Sequence, residues 1–238
     1  MTSVDAGALP PTLQSLGLLR IESRGPVLHV RLNRPEKRNA VSDALVAQIH
    51  TTFVNLPEAT RAVVLSGEGD HFCAGLDLAE VTERSVAEGI VHSRSWHAAF
   101  EQIQFGRVPV VAVLHGAVVG GGGSARIPRL IGTARMTDMM LTGRVYDAHE
   151  GHAIGISHYL VQPGEGLAQA LALAERIAAN APLSNFAVMH ALPRIADMAQ
   201  DEGLFVESLM AAIASGDEAA KLRVRAFLEG RAAKVKKT

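Results

Sequence analysis

The chain has 238 residues, of which 48% are hydrophobic, and its formal net charge is -1. That length and composition are enough to bury one sizeable core, and the near-neutral charge gives no drive toward nucleic acids or anionic membranes. Cys73 is the single cysteine, which excludes an internal disulfide framework and favours a reducing compartment, with the cytoplasm as the default. The first residues lack a basic region followed by an apolar core, so a secretory signal is not expected.

Strand and helix patterns alternate in the first part of the chain. Two apolar runs, at residues 18–23 and 27–32, flank an Arg-Gly-Pro turn, which predicts a β-hairpin. Ser42 is a suitable N-cap for a helix that extends to about Leu56. One face of this helix carries four apolar residues, Leu45, Val46, Ile49 and Phe53. A buried strand is expected next, over residues 61–66.

Two more helical stretches and another apolar strand follow. A helix is predicted to begin near Leu78, and a second one spans about residues 88–105. The second helix has four core candidates, Ile90, Trp96, Phe100 and Ile103. The β-branched run at residues 108–114 is typical of a parallel strand that is buried on both faces. This apolar run ends by residue 119, which is too short to span a bilayer.

The second half of the chain is predicted to be mainly helical. Helices are expected over residues 133–141 and 148–153, and a last short strand over residues 159–161. From Gly166 onward nearly every segment has a helical pattern. Strands that alternate with helices, followed by a helical end, favour the α/β fold class.

Two glycine-rich turns are the most informative local features. Residues 67–78 read Gly-Glu-Gly-Asp-His-Phe-Cys-Ala-Gly-Leu-Asp-Leu, a glycine-broken turn whose small residues can direct free backbone N–H groups at a ligand oxygen. The apolar run that begins at Val108 leads into four consecutive glycines at residues 120–123, where bare backbone can also approach a substrate. Two such loops can hold one carbonyl oxygen between them.

Four segments resemble the crotonase (enoyl-CoA hydratase/isomerase) superfamily, and they follow one another in the order of that family. They are Asn-Arg-Pro-Glu-Lys-Arg-Asn-Ala at 33–40, Phe-Cys-Ala-Gly-Leu-Asp-Leu at 72–78, His-Gly-Ala-Val-Val-Gly-Gly-Gly at 115–122, and Leu-Thr-Gly-Arg-Val-Tyr-Asp-Ala-His-Glu-Gly at 141–151, with Ala-Ile-Gly at 153–155. The resemblance implies a crotonase-like spiral of ββα turns with a C-terminal helical region. It divides the chain into an acyl-CoA-binding core at 1–180, shortened near 122–123, and a helical oligomerisation region at 181–238.

The resemblance also implies roles for individual residues. The backbone N–H groups of Leu76 and Gly121 would form the oxyanion hole and point into one pocket. The coenzyme A site would include Lys37, Arg38, Ala74, Asp77, Leu78 and Ala79. Lys37 and Arg38 would meet the phosphates, although an exposed basic turn without a ligand explains them equally well.

The implied substrate is an acyl-CoA thioester. The implied enzyme is a lyase or isomerase of this family, and the reaction it implies first is the hydration of 2-enoyl-CoA in fatty acid β-oxidation. No cofactor is implied, since coenzyme A is part of the substrate, and no metal. The family usually assembles as a homotrimer or a hexamer. Neither nucleic acid nor a membrane is an expected partner.

The chain departs from this family at residues 122–123. Typical members carry one glutamate on the helix after the first glycine triplet and another after the next strand, and both fall in a gap here. The first glycine segment runs straight into the second, as though roughly thirty residues, the length of a βαβ unit, were absent. Ser124 stands in the first glutamate's place, and Asp138 is the only acid from residue 124 to residue 140.

Two functions therefore remain open. The chain is either an enoyl-CoA hydratase-type enzyme, or a non-catalytic acyl-CoA-binding or assembly subunit. A lost crossover should leave the strand at 108–114 incompletely covered and residues 120–124 strained or poorly fixed. Restoring a family-like segment between residues 122 and 123 should then raise thermal stability and bring hydratase activity together.

Several other side chains have a structural explanation that we prefer to a chemical one. Cys73 has no neighbouring base in the sequence, which favours packing over a role as nucleophile. His115, Ser124 and Asp138 are poor substitutes for a glutamate pair. The histidines at 149, 152 and 158 have no cysteine near them, and exposed histidines are more common than metal ligands.

Overall fold

A four-stranded β-sheet organises the first half of the chain in the computed structural model, which describes residues 9–119 and 123–231. The strands, in sheet order, are β1 (Leu19–Arg24), β2 (Val27–Leu32), β3 (Ala62–Gly67) and β4 (Val110–Ala112). β1 and β2 form the predicted antiparallel hairpin, whereas β2, β3 and β4 are parallel. Parallel strands require crossover connections, and helices supply them here.

Helices make up most of the remaining described chain. They are α1 (Pro11–Gln14), α2 (Asp43–Val54), α3 (Val86–Gln104), α4 (Gly123–Arg126), α5 (Pro128–Ile131), α6 (Thr133–Thr142), α7 (Ala148–Ala153), α8 (Gly166–Ala178), α9 (Pro182–His190), α10 (Leu192–Ile195), α11 (Gln200–Gly216) and α12 (Glu218–Leu228). Two 3-10 turns cover Pro35–Lys37 and Leu78–Glu80. Over residues 9–119 and 123–231, no helix combines the length and the apolar character that crossing a membrane would require.

The helix α2 forms as predicted and covers one face of the sheet. The Ser42 side chain caps it by accepting a hydrogen bond from the Leu45 N–H, at 3.1 Å. The four apolar residues expected on one face are all buried, and they pack against the inward side chains of β2 and β3. α3 joins this core through partly buried side chains, namely Trp96, Phe100 and Ile103.

The helix α8 covers the opposite face. Its small residues Ala170 and Ala174 are buried against Val27, Ala62 and Val64 of the sheet. Alanine at these positions lets the helix approach the strands closely. β2 and β3 are therefore covered on both faces, which is the usual environment of parallel strands.

β4 is less well covered than the sequence predicts. It has three paired residues, of which Val110 and Val111 are half-buried and Ala112 is exposed. Leu114, just beyond the strand, is 38% exposed. The expectation of a strand buried on both faces is thus wrong, whereas the expectation of an incompletely covered strand after a lost crossover agrees with the structure.

Three further sequence predictions are also wrong. Ile90 lies on the outer side of α3 and is 60% exposed, so it is not a core residue. Residues 159–161 form no strand, and all three side chains are exposed. In both places the apolar pattern was present, but no neighbouring element lies over it. The helix expected to begin near Leu78 is not observed either, because only the 3-10 turn Leu78–Glu80 forms there.

The exposed apolar surface is concentrated after β4. Of the 29 large apolar side chains that are exposed within the described residues, 22 come after residue 113. The second half therefore presents apolar surface that a single compact domain would bury.

Candidate oxyanion site

The turn after β3 is held between two other chain segments. On one side, the Val41 N–H donates to the Gly75 carbonyl at 2.7 Å, and the Asp77 N–H donates to the Val41 carbonyl at 2.9 Å. On the other side, the Cys73 N–H donates to the Ala117 carbonyl at 3.0 Å. Residues 73–77 are thus an extended stretch between residue 41 and the segment that leads to the glycine run.

This pairing determines the direction of the Leu76 N–H. In a parallel bridge of this kind, Val41 bonds to the residues before and after Leu76, so the amide of Leu76 itself faces away from Val41. Among the described residues, no hydrogen bond uses the Leu76 N–H. The residue is 47% exposed, so a ligand can reach this donor.

Gly75 allows the segment that leads to the glycine run to lie close to the Leu76 N–H. Its φ is +93°, and a Cβ built on it would lie 2.8 Å from Cγ1 of Val119. The Val119 N–H donates to the Cys73 carbonyl at 2.9 Å, which fixes the end of that segment beside the turn. The proposed second donor, Gly121, lies outside the described residues and remains a prediction. Of the segment 120–124, expected to be strained or poorly fixed, residues 120–122 also lie outside them, whereas Gly123 and Ser124 belong to the short helix α4.

Substitution of Gly75 tests whether this close approach matters. We expect Gly75→Ala to destabilise the protein by about 2–3 kcal/mol, because alanine at positive φ is strained and its Cβ would collide with Val119. Gly25→Ala is the matched control, since Gly25 has φ +61° and open space around it, and only the backbone penalty of about 1 kcal/mol applies. Urea unfolding of both variants measures the difference, and equal losses would contradict the contact.

Asn39 ties the three loops of the site together, a role that sequence reasoning missed. Its side chain accepts a hydrogen bond from the Arg34 N–H at 2.9 Å and donates to the carbonyls of Glu68 at 2.9 Å and His71 at 2.7 Å. Asn39 is fully buried and has φ +55°. The signal was its place in the segment 33–40, because asparagine is the residue other than glycine that best tolerates this backbone conformation.

His71 continues the connection toward the second loop. Its Nδ1 accepts a hydrogen bond from the Ala117 N–H at 3.0 Å, so this nitrogen carries no proton. The His115 ring lies 3.1 Å from the Gly69 carbonyl. These contacts give both histidines a structural role. For His115, a structural role is also what the sequence favoured.

Asp77 stabilises the turn with its carboxylate. It forms an ion pair with Arg34 at 2.7 Å and caps the 3-10 turn by accepting from the Ala79 N–H at 3.1 Å. The hydrogen bond from Arg34 holds the pKa of this carboxyl below its usual value. Both oxygens are thus engaged within the protein, and the side chain shapes the site by fixing the loop.

The other predicted coenzyme A residues lie around this turn. The Ala74 N–H donates to the Arg38 carbonyl at 2.9 Å. This bond joins the basic turn, which contains Lys37 and Arg38, to the candidate oxyanion turn at residues 73–77. Lys37, Arg38, Leu78 and Ala79 are all exposed. The structure therefore brings the basic turn and residues 74–79 together at one surface.

Acidic groups that could replace the glutamate pair are engaged elsewhere. Asp138 on α6 lies 3.6 Å from Arg144 as an ion pair, and Glu80 accepts from the Asp43 N–H at 2.8 Å. Ser124 is exposed on the short helix α4. Burial raises the pKa of the Cys73 thiol, which disfavours the nucleophilic thiolate. Within the described chain, no cluster of three metal-binding side chains occurs.

Comparison with known proteins decides the family. The enoyl-CoA hydratase/isomerase family model matches residues 22–125. A protein of Thermus thermophilus, named as a candidate enoyl-CoA hydratase, is 32% identical over 87% of this chain and 96% of its own length. The chain belongs to the enoyl-CoA hydratase/isomerase family. An enoyl-CoA hydratase of Mycobacterium tuberculosis is 28% identical over 89% of this chain and 94% of its own length.

Solved structures of this family share the fold. The crystal structure of a candidate enoyl-CoA hydratase from Rhodopseudomonas palustris is 47% identical, covers 91% of this chain and 96% of its own, and has a TM-score of 0.87. The crotonase-like α/β fold with a mainly helical C-terminal part, which the sequence motifs predicted, is thereby confirmed.

The same comparisons bear on the shortened junction. The alignment with the Thermus protein has 244 positions, but 87% of the 238 residues of this chain is only about 207 residues, so about 37 positions have no counterpart here. This agrees with the roughly thirty residues, one βαβ unit, whose absence the motif order indicated. The family match ends at residue 125, close to the junction at 122–123.

Proposed function

We propose that this protein binds an acyl-CoA thioester, holds its carbonyl oxygen at the Leu76 N–H, and supports the hydration of 2-enoyl-CoA. The observation that carries the proposal is the Leu76 amide, which has no hydrogen bond among residues 9–119 and 123–231 and faces away from Val41, on a turn that contacts Val119 just before the glycine run. Family membership supports a thioester as the ligand. We place the protein in the cytoplasm and the reaction in fatty acid β-oxidation.

The oxyanion donor would act on the charge that develops during hydration. Water adds to the β-carbon of the 2,3 double bond, and the electrons move through the α-carbon onto the thioester oxygen, giving an enolate. A proton then returns to the α-carbon. A backbone N–H that is fixed before the reaction stabilises this enolate, and one such donor is worth about 10²- to 10³-fold in rate.

The remaining parts of the site complete the proposal. Lys37 and Arg38 would contact the phosphates of coenzyme A, and Ala74, Leu78 and Ala79 its thioester and adenine parts. Asp77 would hold the turn through Arg34. Gly121 would supply the second donor. The core at 1–180 would bind the ligand, and the helices at 181–238 would mediate assembly into a trimer or hexamer.

A second candidate is a non-catalytic acyl-CoA-binding or assembly subunit. Two observations favour it: about 37 positions of the Thermus protein have no counterpart in this chain, and Asp77, Glu80 and Asp138 are engaged in other contacts. Positioned acid/base groups typically contribute about 10²- to 10⁴-fold in rate. A chain that lacks them would still bind the ligand.

One binding experiment and one activity experiment separate these functions. Acetoacetyl-CoA, whose enolate resembles the reaction intermediate, should bind to the wild type and to Leu76→Ala, but about tenfold more weakly to Leu76→Pro, because proline removes the N–H while alanine keeps it. Isothermal titration gives the dissociation constants. Equal affinity of all three proteins would overturn the oxyanion role of Leu76.

Hydration of crotonyl-CoA, followed by the loss of its conjugated thioester absorbance, then decides between the candidates. The enzyme proposal expects a rate above the uncatalysed one that falls in Leu76→Pro. Binding of acetoacetyl-CoA without any hydration of crotonyl-CoA would establish the second candidate. If the protein neither binds acetoacetyl-CoA nor hydrates crotonyl-CoA, both candidates are rejected.

A further inference from the structure

The two edges of the β-sheet differ in a way that bears on association. β1, at one edge, carries charged side chains at every second position, Arg20, Glu22 and Arg24, and these form ion pairs with Glu68 and with each other at 3.2 and 3.0 Å. β4, at the other edge, lies in a stretch from residue 108 to residue 114 that contains no charged residue. Charged edges resist pairing with another chain, whereas bare apolar edges invite it.

The backbone of β4 has unpaired groups along its outer side. The Val63 N–H donates to the Pro109 carbonyl, and the Val113 N–H donates to the Leu65 carbonyl, so the odd-numbered residues face β3. The amides and carbonyls of Val110, Ala112 and Leu114 therefore point away from the sheet. Among the described residues, no strand pairs with this side, and Ala112 and Leu114 are exposed.

We propose that β4 pairs with β4 of a second copy of this chain, antiparallel and across a two-fold axis at Ala112. In this register Ala112 exchanges hydrogen bonds with its counterpart, and Val110 lies opposite Leu114 of the second copy. The two sheets then form one continuous eight-stranded sheet. A two-fold interface is self-complementary, and this strand suits it because both partners are apolar and uncharged.

The lack of charge at the edge and the apolar residues beside it favour a second copy as the occupant. No like charges meet at the pairing, because the nearest charged residue, Arg107, is bonded to the carbonyls of residues 56–58. Next to the strand, the apolar side chains of Leu114, Val118 and Val119 are 38%, 44% and 53% exposed, so apolar surface adjoins the edge that would pair.

The relatives explain why this edge is free in this chain. They carry about 37 aligned positions that are absent here, and the motif order places that gap directly after the segment that follows β4. In this chain the strand β4 is present, but the further crossover that would otherwise follow it is absent. The self-pairing is thus a consequence of the shortened junction and does not depend on ligand binding.

Three substitutions at one exposed position test the proposal. Ala112→Pro removes the outward N–H but leaves the bonds to β3, and Ala112→Lys places like charges opposite each other. Ala112→Pro and Ala112→Lys should each raise the dissociation constant of the dimer about tenfold or more. Ala112→Val keeps the N–H and should leave the constant unchanged. Sedimentation velocity over a range of concentrations measures it, and far-UV circular dichroism verifies the fold.

A crosslink provides a test that does not depend on weakening the dimer. Ala112→Cys introduces the one exposed thiol of the described chain, since Cys73 is buried. Under mild oxidation it should give a disulfide-linked dimer, and Ser124→Cys, an exposed position away from the axis, should not. A monomer at all concentrations would overturn the proposal. So would an association whose dissociation constants are all unchanged in Ala112→Pro and in Ala112→Lys, because every interface would then lie on other surfaces, such as the C-terminal helices.

Discussion

Insertion of a family crossover segment between residues 122 and 123 should raise thermal stability and hydratase activity together. The segment would cover apolar side chains near β4 that are now exposed, and burying several of them contributes about 3–5 kcal/mol. For a chain of this length, that corresponds to a melting temperature higher by about 10 °C. The same segment supplies the two glutamates, so crotonyl-CoA hydration should rise by about 10²- to 10⁴-fold.

The two effects can be separated with a matched control. The segment of the Thermus thermophilus protein that has no counterpart in this chain is the natural donor. A second insertion with both glutamates changed to glutamine should give the increase in melting temperature without the increase in rate. Differential scanning calorimetry and the hydration assay measure the two quantities. If the original chain already melts cooperatively at a high temperature and hydrates crotonyl-CoA at the rate of the inserted form, the account of the junction is wrong.

Asn39→Ala should destabilise the protein by about 3–5 kcal/mol, the largest effect expected from a single substitution. It leaves the Arg34 N–H and the carbonyls of Glu68 and His71 without their partners, and each unsatisfied buried group costs about 1–3 kcal/mol. Alanine also fits poorly at φ +55°. Because these bonds position the oxyanion turn, binding of acetoacetyl-CoA should weaken as well.

Asn33→Ala is the control for this prediction. Asn33 lies in the same segment, but its side chain makes one exposed hydrogen bond, to the Gly17 carbonyl at 3.1 Å. Its loss should change the free energy of unfolding by less than about 1 kcal/mol. Urea unfolding of both variants provides the comparison, and similar losses would show that Asn39 does not organise the loops.

Local patterns predicted the elements whose neighbours lie close in sequence or pack in the usual way. The hairpin β1–β2 formed around its Arg-Gly-Pro turn, and Ser42 capped α2 as expected. These results follow from backbone preferences and from a single amphipathic face, which act over a few residues. The motif segments likewise predicted the family, which the comparisons confirmed.

The arrangement of the site depended on contacts that no local pattern contains. Asn39 could be placed in a motif, but its three partners come from residues 34, 68 and 71, and only the folded chain shows that they meet. Asp77 was expected at the coenzyme A site, yet its carboxylate is bonded to Arg34. The residue pattern of these loops indicated neither set of bonds.

The sequence by itself determined the family and the order of the four strands, with α2 between β2 and β3 and α3 between β3 and β4. Only the tertiary structure decided which apolar residues are buried: Leu45 is fully covered, whereas Ile90 and Leu114 are exposed. The physical reason is that hydrophobic periodicity states which face of an element can be buried, but burial requires a second element to lie over that face. Where the crossover after β4 is absent, that second element is missing and the strand edge remains open.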